Sequence, residues 1–182
     1  MSKKDDFKTN AEELKKNGWT IVKGVFSPDE VKALREKVLL SYQQGYGKRD
    51  LLSNPHLSHI IINNKIINSL RHLLGGKPVY YGDSSFQIAS KFGYISNGFH
   101  KDNAYKTTPN APDWEEDYSV LRVGIYLQDH ANHSEGLILK SGSHRYPDLN
   151  KGKTVIVPSR PRDVIFWYLT VTHSGNAKLM VW

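Results

Sequence analysis

Leu121-Arg122-Val123-Gly124-Ile125-Tyr126-Leu127-Gln128 is the stretch on which the fold turns. Leu121, Val123, Ile125 and Leu127 alternate with Arg122, Gly124, Tyr126 and Gln128. Period two belongs to a β-strand, whose successive side chains point to opposite faces, so one face is apolar and the other mixed. Working outward, residues 79–81, 85–92, 119–128, 137–140, 154–157, 164–168 and 177–182 all read as strands, separated by clusters of Gly, Pro, Asn and Ser. Seven or more short strands with no helix between them predict an antiparallel sandwich or barrel.

Upstream the texture is helical. Thr9-x-x-Glu12 is a capping box that opens a short helix ending at Asn17-Gly18. Residues 19–23 alternate as a short strand. In Ser27-Pro28-Asp29-Glu30 serine caps, proline takes the first helical position and glutamate closes the box. Val31, Leu34, Val38 and Tyr42 follow at helical spacing, and Gly45 ends the run. Asn54-Pro55 opens another short helix. Residues 64–74 form a third, with Ile67, Leu70 and Leu74 on one face and Gly75-Gly76 behind it. The expected organisation is one domain over residues 1–182. A helical flank with one strand (1–76) packs outside one sheet of a β core (77–182). Residues 177–182 read as a strand cut off in mid-run, so the core is expected to be incomplete at its end. Residues 107–117, with Pro109, Pro112 and several acids, form a long loop of the kind that serves as a lid, mobile without substrate.

Composition narrows the chemistry. The 182 residues include no cysteine, which excludes disulfides, thiolate-bound zinc, iron–sulfur clusters and thiol nucleophiles. The net charge is +7 and the pI about 9.4. Of the 25 basic residues 18 are lysine, scattered with no run longer than two. That pattern argues against nucleic acid, and for a solvated surface or attraction to a small anion. No apolar run approaches the roughly 20 residues of a membrane span, and the first residues lack the apolar core of a signal peptide, so a cytoplasmic protein is expected.

Metal binding must then rest on histidine and carboxylates. His100-Lys101-Asp102 follows a strand-like stretch, and residues two apart on a strand point the same way. Both side chains can reach one ion. His173, after the apolar run Val164-Ile165-Phe166-Trp167-Tyr168, is the best second histidine. Two histidines and a carboxylate on one side of an iron are the ligand set of non-haem iron(II) oxygenases and leave room for a chelating co-substrate and dioxygen. Spacing alone is weak: eight histidines and 18 acids produce about one such triplet by chance, and His133-Ser134-Glu135 is a second. A strand-end histidine bonded to a nearby aspartate, and a histidine in an ordinary turn, are the plain alternatives for His100 and His173.

Several separate motifs together resemble the phytanoyl-CoA dioxygenase family. They are the long strand from Leu121; the acid-Gly turn Glu135-Gly136 with its short strand; Gly142-Ser143-His144-Arg145; Phe99-His100-Lys101-Asp102, with Phe where the family has Trp; and Arg162-Asp163-Val164-Ile165-Phe166-Trp167 leading to His173-Ser174-Gly175. Asn17-Gly18-Trp19-Thr20-Ile21-Val22 and Phe26-Ser27-Pro28-Asp29-Glu30-Val31 resemble its first strand and helix. The resemblance runs from about Asn17 to the end.

It implies a mainly β fold with N-terminal helices, a double-stranded β-helix (jelly roll, cupin-like). It implies iron(II) on His100, Asp102 and His173, with 2-oxoglutarate as co-substrate and dioxygen as oxidant. The implied reaction is hydroxylation of an unactivated C–H bond in a small-molecule substrate. His133 and Glu135 then belong to a surface turn, and His144 shapes the turn that carries it. Gln87 is a candidate contact to 2-oxoglutarate, or a simple sheet-facing polar residue. Tyr105 and Trp114 are candidates for the substrate pocket. The family's arginine about eleven residues after the distal histidine has no counterpart, because the sequence stops nine residues after His173. Lys178 and Arg122 are the candidate substitutes for pairing the far carboxylate, or ordinary surface charges. The missing arginine keeps a second reading open: a jelly-roll module that binds metal or ligand without turnover.

Overall fold

The computed structural model describes residues 3–47, 49–88, 98–114, 118–130 and 136–176. Its centre is a strand apolar at every position, β5 (Val164–Tyr168). In an amphipathic strand every second residue is polar. Here none is, because both faces of β5 are covered. On one face Val164 and Phe166, both fully buried, join Leu14, Val22, Val31, Leu34, Ile66 and Leu73. On the other, Ile165 and Trp167 join Leu137, Leu139, Val157 and Val171. Each such side chain removed from water contributes about 1.5–3 kcal/mol, so β5 ties the helices to the sheets.

Among the described residues two three-stranded antiparallel sheets form. In the first, β5 lies between β1 (Trp19–Val22) and β2 (Leu121–Gly124), with Trp19 opposite Trp167 and Arg122 opposite the same Trp167. In the second, β3 (Gly136–Ser141) lies between β4 (Lys153–Ile156) and β6 (His173–Asn176). Helices α1 (Lys3–Asn17), α2 (Pro28–Gln43) and α3 (Asn64–Leu74) supply the side chains that cover the outer face of β5. None of the described helices is long and apolar enough to cross a membrane.

Local chemistry sets the helix ends. The Ser27 hydroxyl accepts from Glu30 N at 3.2 Å, and the Glu30 carboxylate accepts from Ser27 N at 2.7 Å. That is the expected capping box. Asn63 caps α3, and Gly75 closes it in the left-handed conformation (φ 69°). Helix α1 starts at Lys3 and runs through the Thr9 box. Phe7 stacks on His72 of α3 at 4.5 Å, so tertiary packing extends the helix past its local start signal. The short helix expected at Asn54 is a set of turns instead. The side-chain Oδ1 of the buried Asn54 accepts from Ser41 Oγ, His56 N and Leu57 N, and a short 3-10 turn follows at Ser58–Ile60.

Two expected strands do not form where described. Residues 79–81 and 85–88 have no ladder partner among the described residues, and Val79 and Tyr81 are 88% and 80% exposed. The chain turns there instead, through Gly82 and Asp83 at positive φ, and Ser84 is tied to the Asp50 carboxylate. Apolar composition marked these residues as strand, but the turn chemistry won. The rest of the second stretch, 89–92, and the strand expected at 177–182 lie outside the described residues. The long strand shortens to β2, although Ile125 and Leu127 keep the expected alternation and pack on the helical core.

Candidate metal centre

The segment ending in His100-Lys101-Asp102 runs antiparallel to the start of β6. His100 N donates to His173 O and His173 N donates to His100 O, both at 2.9 Å. Two residues that exchange both backbone hydrogen bonds stand directly opposite and project to one face. Their imidazole rings lie 4.5 Å apart, tilted by 51°. Asp102, two residues on, returns to that face, and its N–H donates to Leu169 O at 3.0 Å. His100 Nε2 is 3.7 Å and His173 Nε2 3.4 Å from the Asp102 carboxylate. One ligand atom from each of the three lies within 4.8 Å of the others.

Both imidazoles are turned by their other nitrogen. His100 Nδ1 is 3.0 Å from Gly98 O, and His173 Nδ1 is 3.0 Å from Val171 O. A carbonyl only accepts, so each Nδ1 donates to its carbonyl and each Nε2 is left facing the common point. This is how histidine ligands are oriented in metal sites. Burial works against the Asp102 carboxylate, but His173 and Arg122 outweigh it and hold the carboxyl well below its usual range. The donor set, two imidazoles and one carboxylate on one side of a point, fits a divalent iron with open positions.

Arg122 stands beside the triad, opposite Trp167 in the ladder. Its Nε donates to Asp102 Oδ2 at 2.9 Å, and its two terminal nitrogens donate to the Asp83 carboxylate and carbonyl at 2.7 Å. Trp167 stacks edge-on against His173 at 5.7 Å. A Cβ on Gly124 would lie 2.7 Å from the Trp167 ring, so Gly124 makes the room this ring occupies. Tyr126, on the same face, is pushed up to about 12 by burial.

The opposite side of the ligand segment is also built. Lys101 is 1% exposed and its Nζ donates to Ser143 O and Thr170 O. Burial brings this ammonium down to about 8. Its Nζ sits 5.3 Å from the centre of the Trp114 ring, so Trp114 covers Lys101. Asp113 accepts from Asn103 Nδ2 at 2.7 Å and from Tyr105 N at 3.3 Å. Within the expected lid, residues 111–114 are therefore anchored, Ala111 buried and Pro112–Trp114 a 3-10 turn, while residues 107–110 are exposed. Tyr105 stays half exposed.

The Gly142-Ser143-His144-Arg145 turn closes the C-terminal end of α1. Gly142 N donates to Asn17 O at 2.7 Å, His144 Nε2 to Lys15 O at 3.2 Å and Arg145 to Lys15 O at 2.9 Å. These carbonyls are the ones a helix leaves unpaired. His144 thus has the structural place expected of it.

The structure brings His100, Asp102, His173 and Arg122 together and leaves Gln87 exposed in a stretch without ladder pairing. Lys178, His133 and Glu135 lie outside the described residues. Sequence reasoning missed Lys101, Ser143, Asp83 and Trp167. Of the close approach at Trp167 there was a sign, a glycine inside a strand pattern at Gly124.

No family model and no curated protein matches the chain. Solved structures do. The crystal structure of AviO1 from Streptomyces viridochromogenes Tue57 superposes with a TM-score of 0.74 at 15% identity, over 96% of this chain and 89% of that one. The likeness shows the fold. SnoK, a non-heme alpha ketoglutarate dependent carbocyclase from nogalamycin biosynthesis, gives 0.68 at 18% identity, over 98% and 79%. The epimerase SnoN in complex with Fe3+, alpha ketoglutarate and nogalamycin RO gives 0.65 at 16% identity, over 97% and 79%.

Proposed function

We propose that this chain is an iron(II)- and 2-oxoglutarate-dependent oxygenase on a double-stranded β-helix frame, hydroxylating an unactivated C–H bond of a small molecule. The observation that carries the reading is the convergence of His100, Asp102 and His173, with both Nδ1 atoms occupied by backbone carbonyls and both Nε2 atoms aimed inward. The fold shared with SnoK and SnoN, one named as alpha ketoglutarate dependent and the other holding Fe3+ and alpha ketoglutarate, supports it.

The three side chains would hold the metal. Iron(II) with 2-oxoglutarate and dioxygen supplies the oxidising chemistry, the co-substrate leaving as succinate and carbon dioxide. The chain's own residues do the rest. The imidazoles bind as neutral donors, and Asp102 brings the one negative charge among the three. Arg122 fixes Asp102 Oδ2 and is the proposed cation for a carboxylate of 2-oxoglutarate, Asp83 being the exposed partner it would release. Gln87, from its place before the metal motif, and Lys178, from strand parity, are further candidates for the co-substrate.

The test is an anaerobic titration with iron(II) and 2-oxoglutarate, followed by the visible charge-transfer band of a chelated 2-oxo acid. The wild-type chain should develop the band, and His100→Ala and Asp102→Ala should not. No band in the wild type, or the same band in both variants, overturns the assignment.

One observation favours the alternative, a module that binds without turnover. Arg122 is already engaged by two carboxylates, Asp102 and Asp83. Succinate release from 2-oxoglutarate in the presence of iron and dioxygen separates the readings: the oxygenase releases it and the module does not.

A further inference from the structure

Lys101 stands between two of the three proposed ligands and points the other way. It is 1% exposed, and its ammonium donates to Ser143 O at 3.1 Å and to Thr170 O at 2.5 Å, beneath the face of Trp114. Ser143 is fully buried and has a second bond: its hydroxyl accepts from Thr172 N at 2.9 Å, one residue before His173. Ser143 thus grips both arms of the site. Its carbonyl holds the arm of His100 and Asp102 through Lys101, and its side chain holds the arm of His173.

The grip has a fixed base. Gly142 bonds to Asn17 at the end of α1 with left-handed φ (83°), and His144 and Arg145 bond to Lys15. A methionine would fill the space of Lys101 without a buried charge. A desolvated ammonium persists only where its hydrogen bonds are met, and here they are met by carbonyls from two different segments.

We propose that Lys101 and Ser143 form a brace that sets the separation of the two metal-bearing arms, Lys101 acting as a positioning residue. This rests on the reading of the triad as a metal site. Outer residues that orient metal ligands change affinity by about 10- to 100-fold when removed, and the brace belongs in that range.

The experiment uses the full chain and Co(II), a visible stand-in for iron(II), with affinity from calorimetry and ligand geometry from the Co(II) absorption bands. Lys101→Met should bind Co(II) about 10- to 100-fold more weakly and with shifted bands. Ser143→Ala, which keeps the ammonium and its carbonyls, should move both readouts the same way by less. Leu34→Ala, in the helical core far from these bonds, gauges instability alone and should leave the bands unchanged. Wild-type affinity and bands in Lys101→Met overturn the brace. Should Lys101→Met fail to fold, Ser143→Ala decides, and wild-type behaviour there overturns it equally. A wild-type chain that takes up no Co(II) overturns the metal reading itself, which is a different failure from wild-type uptake with unaltered variants.

Discussion

Arg122 Nε lies 2.9 Å from Asp102 Oδ2, on the carboxylate whose Oδ1 stands 3.7 Å from His100 Nε2. The two oxygens of one carboxylate therefore have different neighbours: Oδ2 is shared by the guanidinium and His173 Nε2, 3.4 Å away, and Oδ1 faces His100. Because Arg122 also binds Asp83, the loop after Gly82 is joined to the candidate metal centre through a single side chain.

Removing that guanidinium leaves a partly buried carboxylate without its cation. Arg122→Gln should cost about 1–3 kcal/mol at pH 7, less than a fully buried pair because both groups keep some contact with solvent. Urea denaturation with an unchanged m-value checks it. A loss below about 0.5 kcal/mol would class the contact with ordinary surface pairs.

Gly124→Ala places a methyl group 2.7 Å from the Trp167 ring, which itself leans on His173. Crowding of a packed core costs about 1–3 kcal/mol. The ring must move, so the near-ultraviolet circular dichroism of tryptophan should change and metal affinity should fall with it. A variant with unchanged stability and spectrum would show that the ring has room to spare.

His144 provides a pH signature. Burial, helped by Arg145 and opposed by the Lys15 carbonyl, brings its pKa down from 6.5 to about 4. Between those values the unfolded chain binds a proton that the folded chain refuses. Stability is therefore full above about pH 6.5 and erodes as the pH falls toward 4. The ring is only partly enclosed, so the erosion is about 1–2 kcal/mol after solvent screening. His144→Phe keeps the stack on Tyr168, 5.5 Å away, and should abolish this slope. It should also lose about 1 kcal/mol at pH 7 with the bond to Lys15. Urea midpoints at pH 7.5 and 4.5 for both proteins decide it.

Asp50 supplies the opposite case. The Ser84 N–H, then the Tyr80 hydroxyl and the Leu52 N–H, bring its carboxyl down to about 2 against the resistance of burial. Its contribution is present above the ordinary carboxyl value near 4 and is lost as the pH falls through about 2. Carbon-detected NMR titration should find the midpoint near 2, and Asp50→Asn should speed amide exchange at Ser84. A midpoint near 4 would mean that the loop is not held by this carboxylate.

Much of this was legible in the residues themselves. The apolar run 164–168 is β5 residue for residue, because a strand covered on both faces leaves no polar position to blur its ends. The Ser27 box is where its chemistry requires it. The alternation of His100 and Asp102 does put both on one face, and His173 does meet them. What escaped was long-range. Residues 79–81 look like strand by composition, but ladder formation depends on a partner that composition does not name. Lys101 looks like any surface lysine, since nothing in its neighbours reports two carbonyls brought in from Ser143 and Thr170. Trp114, a pocket candidate from its place in the long loop, covers that lysine, a contact its neighbours in sequence do not report.

The mutual backbone bonds of His100 and His173 separate two tasks that most sites must solve together. The peptide ladder sets where two of the donor atoms originate, and the side chain sets only what they are. Exchange of either imidazole for a thiolate or carboxylate leaves the ladder bonds intact. Metal preference in this frame is thus open to revision one codon at a time, by natural drift or by an engineer, without the backbone having to be reinvented.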